Sequence, residues 1–324
     1  SQIMLTLALI CLVLIAVPFT AYPLILFLRA YLAPNPSRKE EFYPEIDLII
    51  CAHNEAEHIA AKLKNVEALN YPKEKLNVWV ASDGSSDGTV EIAKSAAGGN
   101  VTVLDLARTG KAGALDTAVS SGTAPVIAFS DANSDWDADA LKNLTAYLAD
   151  EAIGGVAGNQ RYGSSAHGSG ERAYWSLDRQ LKQWQAQAGS AISATGAIYC
   201  IRREYYQTPP ADATDDFMIS TGVIAANRRL QFAPDAVAWE APAEGGRREL
   251  ARKVRVITRG LRSVYYRRQL LNPFKTGIYG LELLVHKVWR RTVWLPLVLL
   301  VALTPALLSE SAFAFAIGPV SYTH

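Results

Sequence analysis

Hydrophobic patterning divides the chain into two uncharged runs and a patterned middle. Residues 1–28 carry no charged side chain, about the length a helix needs to cross a bilayer. A second uncharged run covers residues 292–309 and is just long enough to span. Between them, short apolar runs at 46–52, 76–81, 101–106 and 126–129 read as strands. Helical periodicity predicts a helix over 55–69 with Asn54 as its N-cap, and further helices opening at Ser86-Asp87-Gly88-Thr89 and at Thr109-Gly110-Lys111. The latter runs through Val119, and another, capped by Asp137, runs to about Leu148. This alternation implies an α/β fold with a mostly parallel sheet and helices on both faces. In such sheets ligands bind beyond the carboxyl ends of the strands, where His53, Glu55, Asp83, Lys111 and Asp131 fall.

The second half reads differently. Residues 171–188 form an amphipathic helix with Trp175, Leu181 and Trp184, and 197–201 a strand leading into Arg202-Arg203. Residues 247–268 are strongly basic with apolar positions at helical spacing. Residues 274–289 fit a helix in a membrane interface and, on periodicity, equally a core helix. Pro34-Asn35-Pro36-Ser37 reads as a linker.

Charge and cysteine sharpen this picture. The net charge of +1 gives no global bias toward nucleic acid. The first run is too long for a signal peptide and has no basic leader. Arg29, Arg38 and Lys39 follow it, and Lys287, Arg290 and Arg291 precede the second run. The positive-inside rule then puts about 32–290 in the cytoplasm of a multi-pass inner-membrane protein. Cys11, Cys51 and Cys200 lie in separate apolar runs and read as core or membrane thiols. The expected organisation is a transmembrane helix at 1–31, a cytoplasmic α/β domain at 32–245, and basic and interfacial helices at 246–291. A C-terminal membrane segment follows at 292–317, with further membrane helices expected beyond it, and a non-native tail at 318–324.

Several motifs carry chemistry. Asp83-Gly84-Ser85-Ser86-Asp87-Gly88-Thr89 suits nucleotide binding or a plain turn with an N-cap. A calcium loop fails, because its twelfth position is Lys94. Gly110-Lys111 can place an ammonium near a phosphate, but Asp105 and Ala112 exclude a P-loop. In Asp131-Ala132-Asn133 the i and i+2 side chains share one face of an extended chain and can hold Mg²⁺ or Mn²⁺ with substrate phosphates; helix capping is the alternative. Thr214-Asp215-Asp216 pairs adjacent carboxylates, which raises one pKa toward general-base work, or simply favours a helix N-terminus. Arg252, Lys253, Arg255 and Arg259 can grip a diphosphate or lipid phosphate, or serve only as an orientation signal. Gly168-Ser169-Gly170-Glu171-Arg172-Ala173 is rejected as a dinucleotide fingerprint because no strand precedes it directly and no acid follows at the right distance.

In this order, Ala52-His53-Asn54-Glu55, the Asp83 loop, Gly110-Lys111, Asp131-Ala132-Asn133, Thr195-Gly196-Ala197, Thr214-Asp215-Asp216 and Arg252/Arg255 resemble membrane-bound family 2 glycosyltransferases of the GT-A (Rossmann-like) fold. The pattern is similar to bacterial cellulose and poly-N-acetylglucosamine synthases. The resemblance implies that His53, Glu55, Asp83 and Lys111 contact a nucleotide-sugar, usually of UDP. Asp131 and Asn133 would hold the metal, with Arg252 and Arg255 on the donor and Thr195 and Gly196 at the acceptor. Asp216 would be the base and Asp215 its partner. Arg252 and Val256 depart from the family's Gln-x-x-Arg-Trp motif, and the missing Trp puts processive transfer in doubt.

The function expected is inverting, metal-dependent sugar transfer to a polysaccharide or lipid-linked acceptor, with further membrane subunits as partners in such an assembly. The alternatives are transfer to a polyprenyl-phosphate or ceramide-type lipid, and a non-catalytic sugar-nucleotide-binding subunit.

Overall fold

The computed structural model describes residues 2–163, 169–240 and 246–308, with side chains resuming at 175 and 254 after the two gaps. The expected 318–324 tail, residues 309–317 of the expected membrane segment, and Gly168 lie outside the described residues.

An apolar helical stretch opens the chain as α1 (Gln2–Ala16) and α2 (Ala21–Leu32), joined by a short 3-10 turn containing Pro18. The middle region runs β1 (Ile46–Ala52), α3 (Ile59–Glu67), β2 (Leu76–Asp83), α4 (Thr89–Ala96), β3 (Val101–Leu106), α5 (Lys111–Ser121) and β4 (Val126–Asp131). It continues with β5 (Ser134–Trp136), α6 (Ala140–Thr145), β6 (Ile153–Tyr162), α7 (Ser169–Ala188), β7 (Tyr199–Arg202), α8 (Asp215–Ala225) and β8 (Arg229–Glu240). Then follow α9 (Gly246–Tyr266), α10 (Pro273–Thr276), α11 (Ile278–Leu283), a π-helical turn over Leu284–Trp289, α12 (Arg290–Thr292) and α13 (Trp294–Leu308).

Eight strands form one sheet in the order β3-β2-β1-β4-β7-β6-β8-β5. The half built from β1 to β4 is parallel, as the alternating pattern predicts. The other half is mixed: β7 runs antiparallel to β4 and β6, β8 parallel to β6, and β5 antiparallel to β8. The expected mostly parallel sheet is thus corrected to a mixed one.

Strands covered on both faces read as continuous apolar runs, with alternate residues serving opposite layers. In β1, Ile46, Leu48 and Ile50 join Leu63 and Val66 of α3 and Leu141 and Leu144 of α6 in one core. Ile49 points the other way, to a core holding Leu115 and Val119 of α5 and Phe217 and Val223 of α8.

Asp47 interrupts that pattern as a fully buried carboxylate. It accepts from Ala124 N (2.9 Å), Asn77 Nδ2 (3.1 Å) and Trp79 Nε1 (3.1 Å), and pairs with the Arg203 guanidinium. It thereby ties β1 and β2 to the segments flanking β4 and β7.

Gln2–Leu32 is long and apolar enough to cross a membrane. Ile278–Thr292 and Trp294–Pro305, bent by 42°, reach that length and apolarity only together. Tyr279, Leu283 and His286 are buried while Phe274, Ile278, Leu281 and Leu284 are exposed, so the 274–289 segment is core on one face and apolar surface on the other.

Asp47→Ala leaves the partly buried Arg203 without its counter-ion. The expected loss is about 3 kcal/mol of unfolding free energy, read as a lower denaturation midpoint at unchanged slope.

Candidate active site

The parallel register lines up the carboxyl ends of the strands. Cys51 pairs with Asp131, Ala52 with Ser82, and Asp83 with Leu106. His53, Glu55, Asp83, Lys111, Asp131, Asn133 and Arg255 accordingly line one pocket of about 320 Å³.

Its wall is fixed by loop hydrogen bonds. Asp83 Oδ1 accepts from the backbone N–H groups of Thr109 (2.7 Å) and Gly110 (2.9 Å). Gly110 has φ +85°, a left-handed conformation that costs glycine little. The Asp83 carboxylate therefore holds the turn that launches α5, with Arg108 Nε at 3.5 Å from its other oxygen. His53 Nδ1 lies 2.8 Å from the Asp83 carbonyl oxygen, a hydrogen-bond distance.

Two capping expectations are corrected here. Helix α3 begins only at Ile59, so Asn54 is not its cap. Asn54 adopts φ +56° and its Oδ1 accepts from Ser86 N (2.9 Å), clipping the end of β1 to the β2–α4 loop. Asp87 Oδ1 accepts from Thr89 N (3.1 Å) at the start of α4, which leaves Asp83 free of capping duty. Likewise Asp139, not Asp137, immediately precedes α6.

Asp131 and Asn133 are not helix caps either, because β5 intervenes at Ser134–Trp136. Asp131 ends β4 with one oxygen 2.9 Å from Lys111 Nζ. The same ammonium is 3.1 Å from Asp215 Oδ2 at the start of α8. Burial lowers the Lys111 pKa, but Asp131 and Asp215 outweigh it and hold it well above its ordinary value. Asp216 follows, accepting from Phe217 N (2.7 Å). Burial and the Asp215 charge push its pKa up to about 6, against the opposing pull of Lys111 and Lys287. Burial, with Asp131 and Asp87, also raises Glu55.

Gly196 stands against Asp131: a Cβ there would lie 2.8 Å from Oδ2. The Thr195 hydroxyl is buried without a hydrogen-bond partner among the described residues. Arg255, on α9, reaches the pocket; the side chain of Arg252 lies outside the described residues.

Beneath the Asp131 turn lies Lys62, 1% exposed, which sequence reasoning passed over. Its ammonium donates to Ser134 O (2.5 Å) and sits over the Trp136 ring. Burial pulls its pKa down to about 7. Ser134 Oγ in turn donates to Asp131 O (2.9 Å) and Ala197 O (3.2 Å) as alternatives, joining the acidic turn to the Gly196 segment. Tyr199 was also missed. Its ring stacks on Phe129, and burial with Asp215, Asp216 and Asp131 keeps its hydroxyl protonated. A lone Lys on a helix and a Tyr in a strand carry no sequence signal of this kind. The Cys51 thiol, pushed up to about 12 by burial, is no nucleophile.

Residues 47–208 match Glycosyl transferase family 2. The chain is 27% identical over 213 residues to the Probable glycosyltransferase YdaM of Bacillus subtilis, covering 61% of this chain and 50% of that protein. It is 27% identical over 169 residues to the Beta-monoglucosyldiacylglycerol synthase of Trichormus variabilis, covering 50% of this chain and 36% of that one. The chain thus spans half or less of the length of these relatives. Among solved structures, the Mannosyltransferase PcManGT from Pyrobaculum calidifontis, in complex with GDP-Man and Mn²⁺, superposes with a TM-score of 0.76 at 24% identity, covering 97% of this chain and 91% of that one. At that identity the likeness establishes the fold.

Gly196→Ala forces the Asp131 carboxylate away from its place between Gly196 and Lys111. Sugar transfer should fall roughly 10- to 100-fold, the cost of a small misplacement in a reacting site, while the thermal midpoint stays unchanged. A full transfer rate in this variant would show that Asp131 has no role needing that position.

Proposed function

The chain belongs to glycosyl transferase family 2 and is a glycosyltransferase, and from that premise we propose an inverting, metal-dependent hexosyl- or N-acetylhexosaminyl-transferase. Its donor is a nucleoside-diphosphate sugar. Its acceptor is a polysaccharide or lipid-linked sugar at the cytoplasmic membrane face. The observation that carries this reading is Lys111, whose ammonium joins Asp131 to Asp215 beside Asp216.

The residues suit a divalent ion. Among the described residues no three acidic, His or Cys side chains cluster tightly enough to cage one. Asp131 and Asn133 instead supply two oxygens on one pocket wall, and Mg²⁺ or Mn²⁺ commonly takes one or two carboxylates plus substrate phosphates. The Pyrobaculum mannosyltransferase, of the same fold, holds GDP-Man with Mn²⁺. When bound, the ion supplies positive charge to the departing diphosphate.

Every other step falls to side chains. His53, Glu55 and Asp83 border the nucleotide, and Lys111 and Arg255 face the diphosphate. Thr195 and Gly196 border the acceptor. Asp216 takes the proton of the acceptor hydroxyl as that oxygen bonds to the anomeric carbon. The bond to the diphosphate breaks on the opposite side, which inverts the centre. A pKa near 6 leaves Asp216 mostly ionised at neutral pH yet more basic than an ordinary carboxylate.

Three observations favour a lipid-linked acceptor over a polysaccharide. An apolar groove of about 700 Å³ lies between α1 and the 284–299 segment, lined by Leu7, Ile10, Leu14, Leu284, Val288 and Leu295. Lys287, beside Val288, reaches over the Phe217 ring next to Asp216. The Trichormus relative is itself named for a glucolipid product. A non-catalytic sugar-nucleotide subunit would gain nothing from a carboxylate made basic at this point.

Asp216→Asn should lower kcat by roughly 10² to 10⁴-fold while calorimetry shows unchanged donor affinity. In the unmodified protein kcat/KM should fall as pH drops through about 6, because the base must be ionised. An acid limb at the ordinary carboxylate value would remove the assignment. Stripping divalent ions with a chelator should abolish transfer, and added Mn²⁺ or Mg²⁺ should restore it. In Asp131→Ala restoration should need a higher ion concentration.

A further inference from the structure

A second cleft, of about 370 Å³, opens where α2, the end of α7, the α8–β8 turn and α10–α11 meet. It shares no lining residue with the active-site pocket. Arg29, Arg228, Arg229, Lys275 and Glu282 are its charged lining residues, so cations outnumber acids four to one.

These cations fall into two pairs. Arg229 is consumed by structure: it donates to Gly189 O (2.6 Å), Asn35 O (2.6 Å) and Ala186 O (3.2 Å). Arg29 pairs with Glu282 and donates to Ala188 O (3.3 Å). Both therefore satisfy the last carbonyls of α7, as cations at a helix C-terminus do. Arg228 and Lys275 are different. Arg228 uses only Nε, donating to Tyr205 Oη (3.1 Å), and no partner among the described residues reaches its two terminal nitrogens or Lys275 Nζ. Two cations with open donors thus face a cleft whose one carboxylate is already paired.

The surroundings point to the ligand. Phe274, beside Lys275, is 97% exposed, and Tyr31 and Leu32 are more than 70% exposed. Ile278 lines the cleft and is half exposed. Arg29 follows the uncharged run 1–28, which as helix covers roughly 40 Å. That is about the thickness of a bilayer with its headgroup regions. With that run across a bilayer, the cleft would stand at headgroup depth, with apolar side chains along its rim and two donors open inside it.

We propose that this cleft binds the phosphate of an anionic phospholipid, seating the catalytic domain against the bilayer. Arg228 and Lys275 donate to the phosphate oxygens, and Phe274 and Ile278 lie along the acyl chains. The proposal rests on the membrane reading given above.

The test uses the full chain in detergent, titrated with phosphatidylglycerol or phosphatidylcholine and read by native mass spectrometry. The unmodified protein should retain phosphatidylglycerol in preference. The double variant Arg228→Gln/Lys275→Gln should lose roughly thirtyfold in that affinity and none for phosphatidylcholine. Its transfer activity on a soluble acceptor should be unchanged, which reports intact folding. Lys64→Gln/Lys94→Gln, removing two exposed cations elsewhere, should keep the preference. Equal losses in both double variants, or equal binding of the two lipids, overturns the site. Displacement of the lipid by millimolar inorganic phosphate overturns it in favour of a free-phosphate site. A chain that stays monodisperse without detergent and retains neither lipid overturns the membrane reading as well.

Discussion

The Lys111 ammonium allows three carboxylates to coexist at one edge of the sheet. It lies within 3.1 Å of both Asp131 and Asp215, and Asp216 follows directly. At the effective dielectric of a protein surface, unit charges about 4 Å apart interact by roughly 4 kcal/mol. Lys111 keeps 44% of its side-chain surface exposed, so solvent screens this attraction, and what the ammonium mainly does is offset the mutual repulsion of the acids around it. Lys111 is in turn placed by others. Asp83 binds the amides of Thr109 and Gly110, and the positive φ of Gly110 turns the chain into α5 with Lys111 as its first residue. The Asp83 carboxylate, a glycine turn, a cation and two further acids thus form one dependent series.

The reversal of strand direction at β4 completes the arrangement. Because β7 is antiparallel to β4, with Phe129 opposite Tyr199, the segment entering β7 arrives where β4 ends. That is why Gly196 packs on Asp131, and why any side chain there would collide with it. An all-parallel sheet would carry the Thr195-Gly196 turn to the far edge. Lys62 supports the same junction from below: its ammonium holds Ser134 O, and the Ser134 hydroxyl lies within hydrogen-bond reach of both Asp131 O and Ala197 O. Buried polar groups of this kind are costly unless partnered, and here the partners belong to the two loops that form the pocket.

The parallel half of the sheet was legible because its strands are buried on both faces and read as unbroken apolar runs. Strands β5, β6 and β8 were not. In β6, Gly154, Gly155 and Gly158 replace the side chains that mark a strand. Added Cβ atoms at these positions would strike Val223, the Cys200 carbonyl or Ile198, so close packing demanded residues of low strand propensity. In β8, Pro234 and Asp235 break the pattern at an irregularity where Asn159 Nδ2 donates to Pro234 O (2.7 Å). The chemistry of the site was legible one motif at a time. The contact of Lys111 with Asp215 spans more than a hundred residues, and no local spacing encodes it. Asn54 was misread because a polar residue before an apolar periodic stretch fits both an N-cap and a left-handed clip.

The Asp216 side of the pocket joins the apolar elements to the site. Helix α2 packs along α7 through Tyr22, Leu26 and Leu181, and Arg29 ties it to Glu282 of α11. The π-helical turn that follows α11 carries Lys287 onto Phe217, where its charge lowers the pKa of Asp216 against the effect of burial. The pKa of Asp216, raised by burial and by Asp215, is thus moderated from two directions, by Lys111 at the end of the sheet and by Lys287 in the segment adjoining the apolar helices. A displacement of that segment that withdrew Lys287 would raise the pKa of Asp216 further and leave more of it protonated at neutral pH. With Asp216 as the proposed base, close docking of the segment that carries Lys287 would keep that carboxylate ionised, and a site acting on a membrane-borne acceptor would need that docking for binding as well as for proton transfer.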